Sequence, residues 1–168
     1  MILVTGSTGY IGFHICEILE LKKIPYIGID NFSRSLNRNI INKKKFYKID
    51  INSNNIPFLL KSKKIHTVIH AAAFSFPPES ENNKEIYNKN NILKTKKFIN
   101  NCSKLDVKRF IFLSSSNVYN FSLQSIKPVK ESQKINPENY YGKTKSIIEK
   151  YLKKKFEICI ILRLFNIA

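Results

Sequence analysis

No stretch of eighteen apolar residues occurs in the 168-residue chain, which excludes a membrane-spanning helix from this sequence. The chain opens on the strand-like Ile2-Leu3-Val4, with no basic region ahead of an apolar run and no small-residue cleavage site, so no secretory signal is expected. Cysteine is scarce. Cys16, Cys102 and Cys159 stand 86 and 57 residues apart, an odd number without paired spacing. That argues against a disulfide framework or a zinc site, and for buried thiols in a reducing compartment. The expectation is a soluble, cytoplasmic protein with no bound metal.

Acidic residues and arginine are also in short supply. Twelve Asp and Glu against 29 Lys and Arg give a net charge of +17, which raises the question of nucleic acid. Only four of the basic residues are arginine, the residue suited to bidentate phosphate and base contacts. Lys, Ile and Asn together make up about two-fifths of the chain, well above their ordinary share. All three have codons rich in A and T, so the base composition of the gene is the simpler cause. The lysine clusters at 43–45, 61–64, 94–97 and 153–155 lie in separate segments. They read as a solvated lysine surface rather than a nucleic-acid footprint, and their field would steer an anionic small substrate.

What is present is a globular composition, 43% hydrophobic, in a chain of single-domain length without internal repeats. Short apolar runs at 2–5, 25–29, 46–49, 65–70, 109–114 and 158–163 read as strands. Helical periodicity marks 11–22, 84–104 and 139–155, with a short helix at 54–62. Continuous apolar strands alternating with helices imply an α/β fold, a doubly wound parallel (Rossmann) sheet with helices on both faces. Residues 120–138 form a long polar connection holding two prolines, of the kind that carries function.

Two constellations carry chemistry. After the first strand comes Thr5-Gly6-Ser7-Thr8-Gly9-Tyr10-Ile11-Gly12, opening the first helix. Gly6 permits the tight turn, Gly9 lets the backbone approach a pyrophosphate, and Gly12 lets helix and strand pack closely. The helix start, with the N–H groups of Tyr10 and Ile11, supplies donors and positive dipole to phosphate. Asp30 closes the second strand, 18 residues beyond Gly12. There a carboxylate binds ribose hydroxyls and repels a 2′-phosphate, favouring NAD over NADP; a plain strand-end turn at Asp30-Asn31 is the alternative. Asp50-Ile51, after the third strand, is placed to touch adenine in the same way.

The second constellation is Tyr141-Gly142-Lys143-Thr144-Lys145, which puts Tyr141 and Lys145 on one helix face. A phenol with an ordinary pKa of about 10 is a poor base at neutral pH, and a fixed ammonium beside it would favour the phenolate. Ser115 follows a strand and is placed to hydrogen-bond a reacting sugar hydroxyl. Tyr140 reads as a buried aromatic, His70 as packing and backbone support for the cofactor, and His14 and His66 as structural or surface residues.

Together these residues resemble the extended short-chain dehydrogenase/reductase family of NAD-dependent epimerases and dehydratases, and within it the UDP-glucose 4-epimerase branch. The resemblance runs through Val4 to Gly12, Asp30-Asn31, Asp50-Ile51, Val68 to Ala73, Asn90-Asn91, Ser114-Ser115, Val118-Tyr119, Tyr141 to Lys145 and Arg163 to Asn166. It implies cofactor contacts from Asn31, Ala71, Ala72 and Asn91, besides those of the glycine loop, Asp30, Tyr141 and Lys145. It also implies a substrate site holding Ser115, Tyr141 and Asn166. In the implied mechanism Tyr141 takes the proton of the sugar 4-hydroxyl while NAD takes hydride from C4. Lys145 holds the nicotinamide ribose and lowers the tyrosine pKa, and Ser115 assists the proton transfer. The keto sugar then turns and is reduced on its other face. The related dehydratases place an Asp-Glu pair where Ser116 and Asn117 stand, so loss of water is disfavoured.

Four residues depart from the family pattern: Lys94 and Asn120 in place of glycines, Leu164 in place of tyrosine, and Ser75 where many relatives have lysine. Family members also run to about twice this length. The resemblance therefore implies that residues 1–168 form an NAD-binding Rossmann domain without the C-terminal substrate domain, leaving part of the sheet open. The partners implied are a UDP-hexose, and either a second copy of the chain or a separate C-terminal polypeptide. A non-catalytic NAD-binding remnant, and another epimerase or 4-keto reductase of the same family, remain as alternatives.

Overall fold

The computed structural model describes residues 1–35, 40–121 and 128–167. Six strands, β1 (Ile2–Thr5), β2 (Tyr26–Asp30), β3 (Phe46–Lys48), β4 (Thr67–His70), β5 (Arg109–Ser115) and β6 (Ile158–Leu164), form one sheet in the order β3-β2-β1-β4-β5-β6. Every neighbouring pair is parallel. Each strand lies within two residues of the apolar run that predicts it. Pro25 stays outside β2 because it has no N–H to give, although its carbonyl accepts from the Ile2 N–H at 3.1 Å. Of the connection at 120–138, residues 122–127 lie outside the described residues.

Among the described residues six α-helices surround the sheet: α1 (Tyr10–Leu21), α2 (Ile56–Ser62), α3 (Pro77–Asn82), α4 (Lys84–Tyr87), α5 (Thr95–Lys104) and α6 (Tyr140–Lys153). A π-helical stretch, Asn88–Lys94, joins α4 to α5, so the expected helix at 84–104 is continuous but widened in its middle. Helix α3 is not among the helices expected from periodicity. Its signal is different: prolines in the first turn, where a missing N–H does no harm, and Glu79 beside them at the positive end.

Alternation along the strands sorts the core into two layers. On one face Leu3, Ile27, Ile29, Val68, Phe110 and Phe112 pack against Phe98, Ile99 and Cys102 of α5 and Ile148 and Leu152 of α6. On the other, Val4 and Tyr26 pack against Cys16 and Leu19 of α1. Burying a side chain such as Phe98 or Phe110 stabilises the fold by roughly 2–3 kcal/mol. Both layers reach the strand ends that form the site.

The α1 side is covered unevenly. Cys159 and Ile161 of β6 join the packed layer under α6. Their alternates Ile158, Ile160 and Leu162 face the other way and are 49%, 45% and 41% exposed. Part of the sheet is open, as expected, and its open surface is apolar.

Candidate active site

All six strands point their carboxyl ends at one rim, and the strand order reverses between β1 and β4, where a crevice opens. Gly6 turns the chain out of β1 with φ +67°, and a Cβ there would lie 2.7 Å from the Ala72 nitrogen. Glycine is required twice over. Gly12 is required by packing, since its Cβ would lie 2.0 Å from the Gly6 carbonyl oxygen. At Gly9 a Cβ would meet only that oxygen, at 3.4 Å, so the open side of the loop faces the cavity. Helix α1 starts immediately afterwards with no side-chain cap and no acidic residue in its first turn, leaving its N–H groups and dipole uncompensated.

The cavity at this crevice has a volume of about 510 Å³. Gly6, Gly9 to Gly12, Asp30-Asn31, Ala71-Ala72, Ser115, Tyr141, Lys145 and Asn166 all line it, so most of the sequence-derived site residues share one space. Asp30 is held at the end of β2 by accepting from the Thr8 N–H at 3.1 Å and the Phe32 N–H at 2.8 Å.

Asp50, Ile51 and Asn91 do not line the cavity. Ile51 is buried in the core. Burial pushes the Asp50 carboxyl up, but Lys94 at 2.6 Å, the Asn52 N–H at 2.8 Å and Asn31 at 2.7 Å outweigh it and hold the group below its ordinary value. Lys94, where the family pattern has glycine, thus supplies the counter-charge to Asp50. Asn91 is buried and grips the Phe74 backbone from both sides, accepting from its N–H and donating to its carbonyl, each at 2.9 Å. It shapes the wall at Phe74 and Ser75, while its neighbour Asn90 reaches the cavity.

At the other end of the cavity stand Tyr141 and Lys145, both buried on α6. Burial raises the Tyr141 phenol above its ordinary value, and the Ser115 hydroxyl acts in the opposite direction. The Lys145 ammonium lies 5.6 Å from the centroid of the Tyr141 ring and donates to the Leu113 carbonyl at 2.7 Å. Burial brings its own pKa down to about 8, with Glu149 opposing. The groups of this chain alone therefore leave the phenol protonated near neutral pH, contrary to a simple lowering by the neighbouring lysine. Desolvation outweighs the partners that are present.

His70 is fully enclosed between Thr5 and Thr95 and stacks on Phe98 and Phe112. Burial, and secondarily Lys145, hold its pKa down to about 3, so it is neutral. Its partner Thr5 accepts from the Ala72 N–H at 3.3 Å, which makes His70 a backbone support for the cavity wall. The thiols of Cys16 and Cys102 are also buried and raised by burial, Cys16 to about 12.

Several site residues escaped sequence reasoning. Glu149, 1% exposed and one turn beyond Lys145, accepts from Ser114 at 2.6 Å and from Arg163 at 2.8 Å. Its signal is an acid recurring at the spacing of Tyr141 and Lys145, on the face that carries Ile148 and Leu152. Arg163 also donates to Tyr119 at 2.6 Å, tying β6 to the turn after β5. Arg34 lines the cavity with its guanidinium 4.1 Å above the Phe74 ring and 2.7 Å from Glu79.

A parallel sheet of this order, with a glycine turn after β1 and a Ser-Tyr-Lys cluster at the carboxyl rim, defines a Rossmann-type chain of the short-chain dehydrogenase/reductase class. Known proteins narrow this. The model of the NAD dependent epimerase/dehydratase family matches residues 2–168. The chain is 33% identical to the UDP-glucose 4-epimerase of Halalkalibacterium halodurans over 176 residues, covering 99% of this chain and 51% of that protein. Among solved structures, it resembles the Brucella ovis UDP-glucose 4-epimerase in complex with NAD, with a TM-score of 0.90 and 28% identity over 98% of this chain and 51% of that one. It also resembles a Methanobrevibacter ruminantium UDP-N-acetylglucosamine 4-epimerase, with a TM-score of 0.86 and 32% identity over 99% and 55% of the two chains. The chain belongs to the NAD-dependent epimerase/dehydratase family. It spans about half the length of the curated relatives it matches.

Proposed function

We propose that this chain is the cofactor half of an NAD-dependent nucleotide-sugar 4-epimerase acting on UDP-glucose and UDP-galactose. The observation that carries the reading is the single cavity joining Gly9 and Asp30 at one end to Ser115, Tyr141 and Lys145 at the other. Its residues fit a dinucleotide. The bare loop at Gly9 and the uncapped start of α1 suit a pyrophosphate, and the Asp30 carboxylate suits ribose hydroxyls. Arg34, which could otherwise welcome a 2′-phosphate, is paired with Glu79, so NAD is favoured over NADP.

When bound, NAD supplies a reversible hydride acceptor for the sugar C4. This chain's residues do the rest. Tyr141 takes and returns the proton of the sugar 4-hydroxyl, Ser115 hydrogen-bonds the same oxygens, and Lys145 orients the ribose and, as an ammonium, favours the phenolate. Asn166, at the cavity's edge beyond β6, contacts the sugar or its phosphate. Ser116 and Asn117 offer no acid–base pair for eliminating water, which favours epimerisation over dehydration. Free thiols and the absence of a membrane-length apolar helix among the described residues are consistent with a cytoplasmic setting. The open face at Ile158, Ile160 and Leu162 would be covered by a second copy or a completing polypeptide. The second reading, a non-catalytic NAD-binding module, is favoured by the half-length match alone.

The test is to incubate the chain with NAD and UDP-galactose and follow UDP-glucose by proton NMR, with Tyr141→Phe as control. Conversion lost in Tyr141→Phe supports the epimerase. NAD binding without conversion, in a chain that also fails to bind UDP-galactose, supports the non-catalytic module.

A further inference from the structure

In a parallel sheet all the strands also start at one rim, here the end opposite the cavity. The connections that enter the strands are stitched together in a row along it. The Ile2 N–H donates to the Pro25 carbonyl at 3.1 Å, and the Met1 amine to the Lys64 carbonyl at 3.2 Å. The N–H groups of Lys108 and Arg109 donate to the His66 carbonyl at 2.9 and 3.1 Å, and Arg109 stands beside Ile158 in the register of β5 and β6. At the other end of the row Lys23, Lys44 and Lys63 line one cavity of about 400 Å³. Three of the four lysine clusters that lie apart in the sequence, at 43–45, 61–64 and 153–155, therefore share this rim. Lys22-Lys23, Lys104, Lys108 and Arg109 join them.

The charge at this rim is left uncompensated. Lys45 is paired with Glu20 at 2.6 Å and Lys108 with Asp106, and among the described residues the other cations of the rim have no ion pair. Glu157 is the only further acid in these connections. At the carboxyl rim, by contrast, Arg34 is paired with Glu79 and Lys94 with Asp50. A lysine in the last turn of a helix complements the helix dipole, which accounts for Lys104 and Lys153. It does not account for Lys43 to Lys45, a 3₁₀ turn that leads into β3 and ends no α-helix.

Apolar side chains stand among the exposed lysines. Leu21, which ends α1, is 77% exposed, and Ile24, three residues on, is 36% exposed. The one arginine of the rim is Arg109. A nucleic-acid backbone offers nothing to Leu21 and Ile24. A bilayer takes such side chains into its headgroup layer, while lysine stems lie along the apolar surface and carry their ammonium groups to lipid phosphates.

We propose that the strand-start rim is a docking surface for an anionic phospholipid bilayer, held by Lys22, Lys23, Lys44 and Lys64 with Leu21 and Ile24 entering the headgroup layer. Each lysine brought to such a surface raises partitioning roughly fivefold, and the attraction is screened over about 10 Å at 0.1 M salt. Strand β5 is seven residues long, so the cavity between β1 and β4 would stand roughly 20 Å from the bilayer and open to solution. The docking surface shares no residue with that cavity, so it does not depend on the epimerase reading.

The experiment is co-sedimentation of the 168-residue chain with vesicles of phosphatidylglycerol and phosphatidylcholine in equal parts, and of phosphatidylcholine alone. The chain is expected to bind the mixed vesicles at about 50 mM salt, to leave them at about 500 mM, and not to bind phosphatidylcholine. Lys22→Glu with Lys44→Glu should lower partitioning at least about 25-fold. Lys130→Glu with Lys134→Glu makes the same change in net charge on the exposed connection between β5 and α6, and should lower it less than about threefold. Leu21→Ser with Ile24→Ser should lower it about fivefold. Equal losses in the two charge-reversed pairs would overturn the proposal, since net charge rather than this rim would then do the binding. Equal binding to both kinds of vesicle would overturn it too. So would duplex DNA that draws the chain off the vesicles at an equal concentration of negative charge, which would make the partner a nucleic acid. If charge reversal unfolds the chain, as read by circular dichroism, glutamine at the same two pairs of positions asks the same question with a smaller expected loss.

Discussion

Replacing Lys145 with methionine should stabilise the protein at neutral pH while removing one of its proposed catalytic groups. Lys145 is 5% exposed, and burial lowers its pKa from 10.5 to about 8. That difference corresponds to about 3 kcal/mol disfavouring the ammonium in the folded state. Methionine keeps the long unbranched stem and removes the charge. It also removes the hydrogen bond to the Leu113 carbonyl, worth about 1 kcal/mol, so the net gain at pH 7 is about 2 kcal/mol. The pH dependence is more specific. Below pH 8 both folded and unfolded wild-type chains carry the proton and the penalty is full. Between about 8 and 10.5 the folded chain has released the proton while the unfolded chain still holds it, so wild-type stability rises with pH. Above 10.5 the difference is gone. Urea unfolding of both proteins from pH 7 to 10.5 reads this directly, because the other titrating groups are common to both. Lys145→Met should begin more stable and lose its advantage across that window. A variant less stable at pH 7, or a gap independent of pH, would refute the argument that burial of the ammonium is unfavourable in this fold.

Gly9→Asp should weaken NAD binding by roughly 100-fold or more through charge at the phosphate position, yet leave the thermal midpoint unchanged because a Cβ there makes only an ordinary contact with the Gly6 carbonyl oxygen. Gly12→Ala should do the opposite kind of damage, destabilising the chain by about 3 kcal/mol in urea, since its Cβ would overlap the Gly6 carbonyl. His70 is held neutral to about pH 3, so stability should fall as pH drops from 6.5 toward 3, and His70→Phe should flatten that acid limb in pH-dependent unfolding. Ile160→Lys with Leu162→Lys should reduce any self-association seen by sedimentation, with stability kept within about 0.5 kcal/mol, because both residues lie on the open face.

Much of this fold is written in local pattern. Strands β1, β2, β4 and β5 announce themselves as apolar runs because they are covered on both faces, and α6 does so through Ile148 and Leu152 spaced for one face. The glycine loop was legible for a similar reason: its requirements are backbone requirements, and only glycine meets them at Gly6 and Gly12. Side chains that answer to distant partners were not legible. Asp50 and Asn91 match family positions, but spacing alone does not show that Lys94 engages the first or that the second holds the Phe74 backbone. Glu149 and Arg163 look like surface charges until the sheet brings them together under Ser114. Helix α3 was missed because its start is marked by prolines rather than by apolar period.

The measurement that bears most directly on the central claim is titration calorimetry of the 168-residue chain with NAD and, separately, with NADP. The account predicts one NAD per chain and NADP weaker by at least about tenfold, because the proposed role of Asp30 is to bind the ribose hydroxyls and Arg34 is engaged by Glu79. A folded sample that binds neither dinucleotide, or that binds NADP as tightly as NAD, would contradict it.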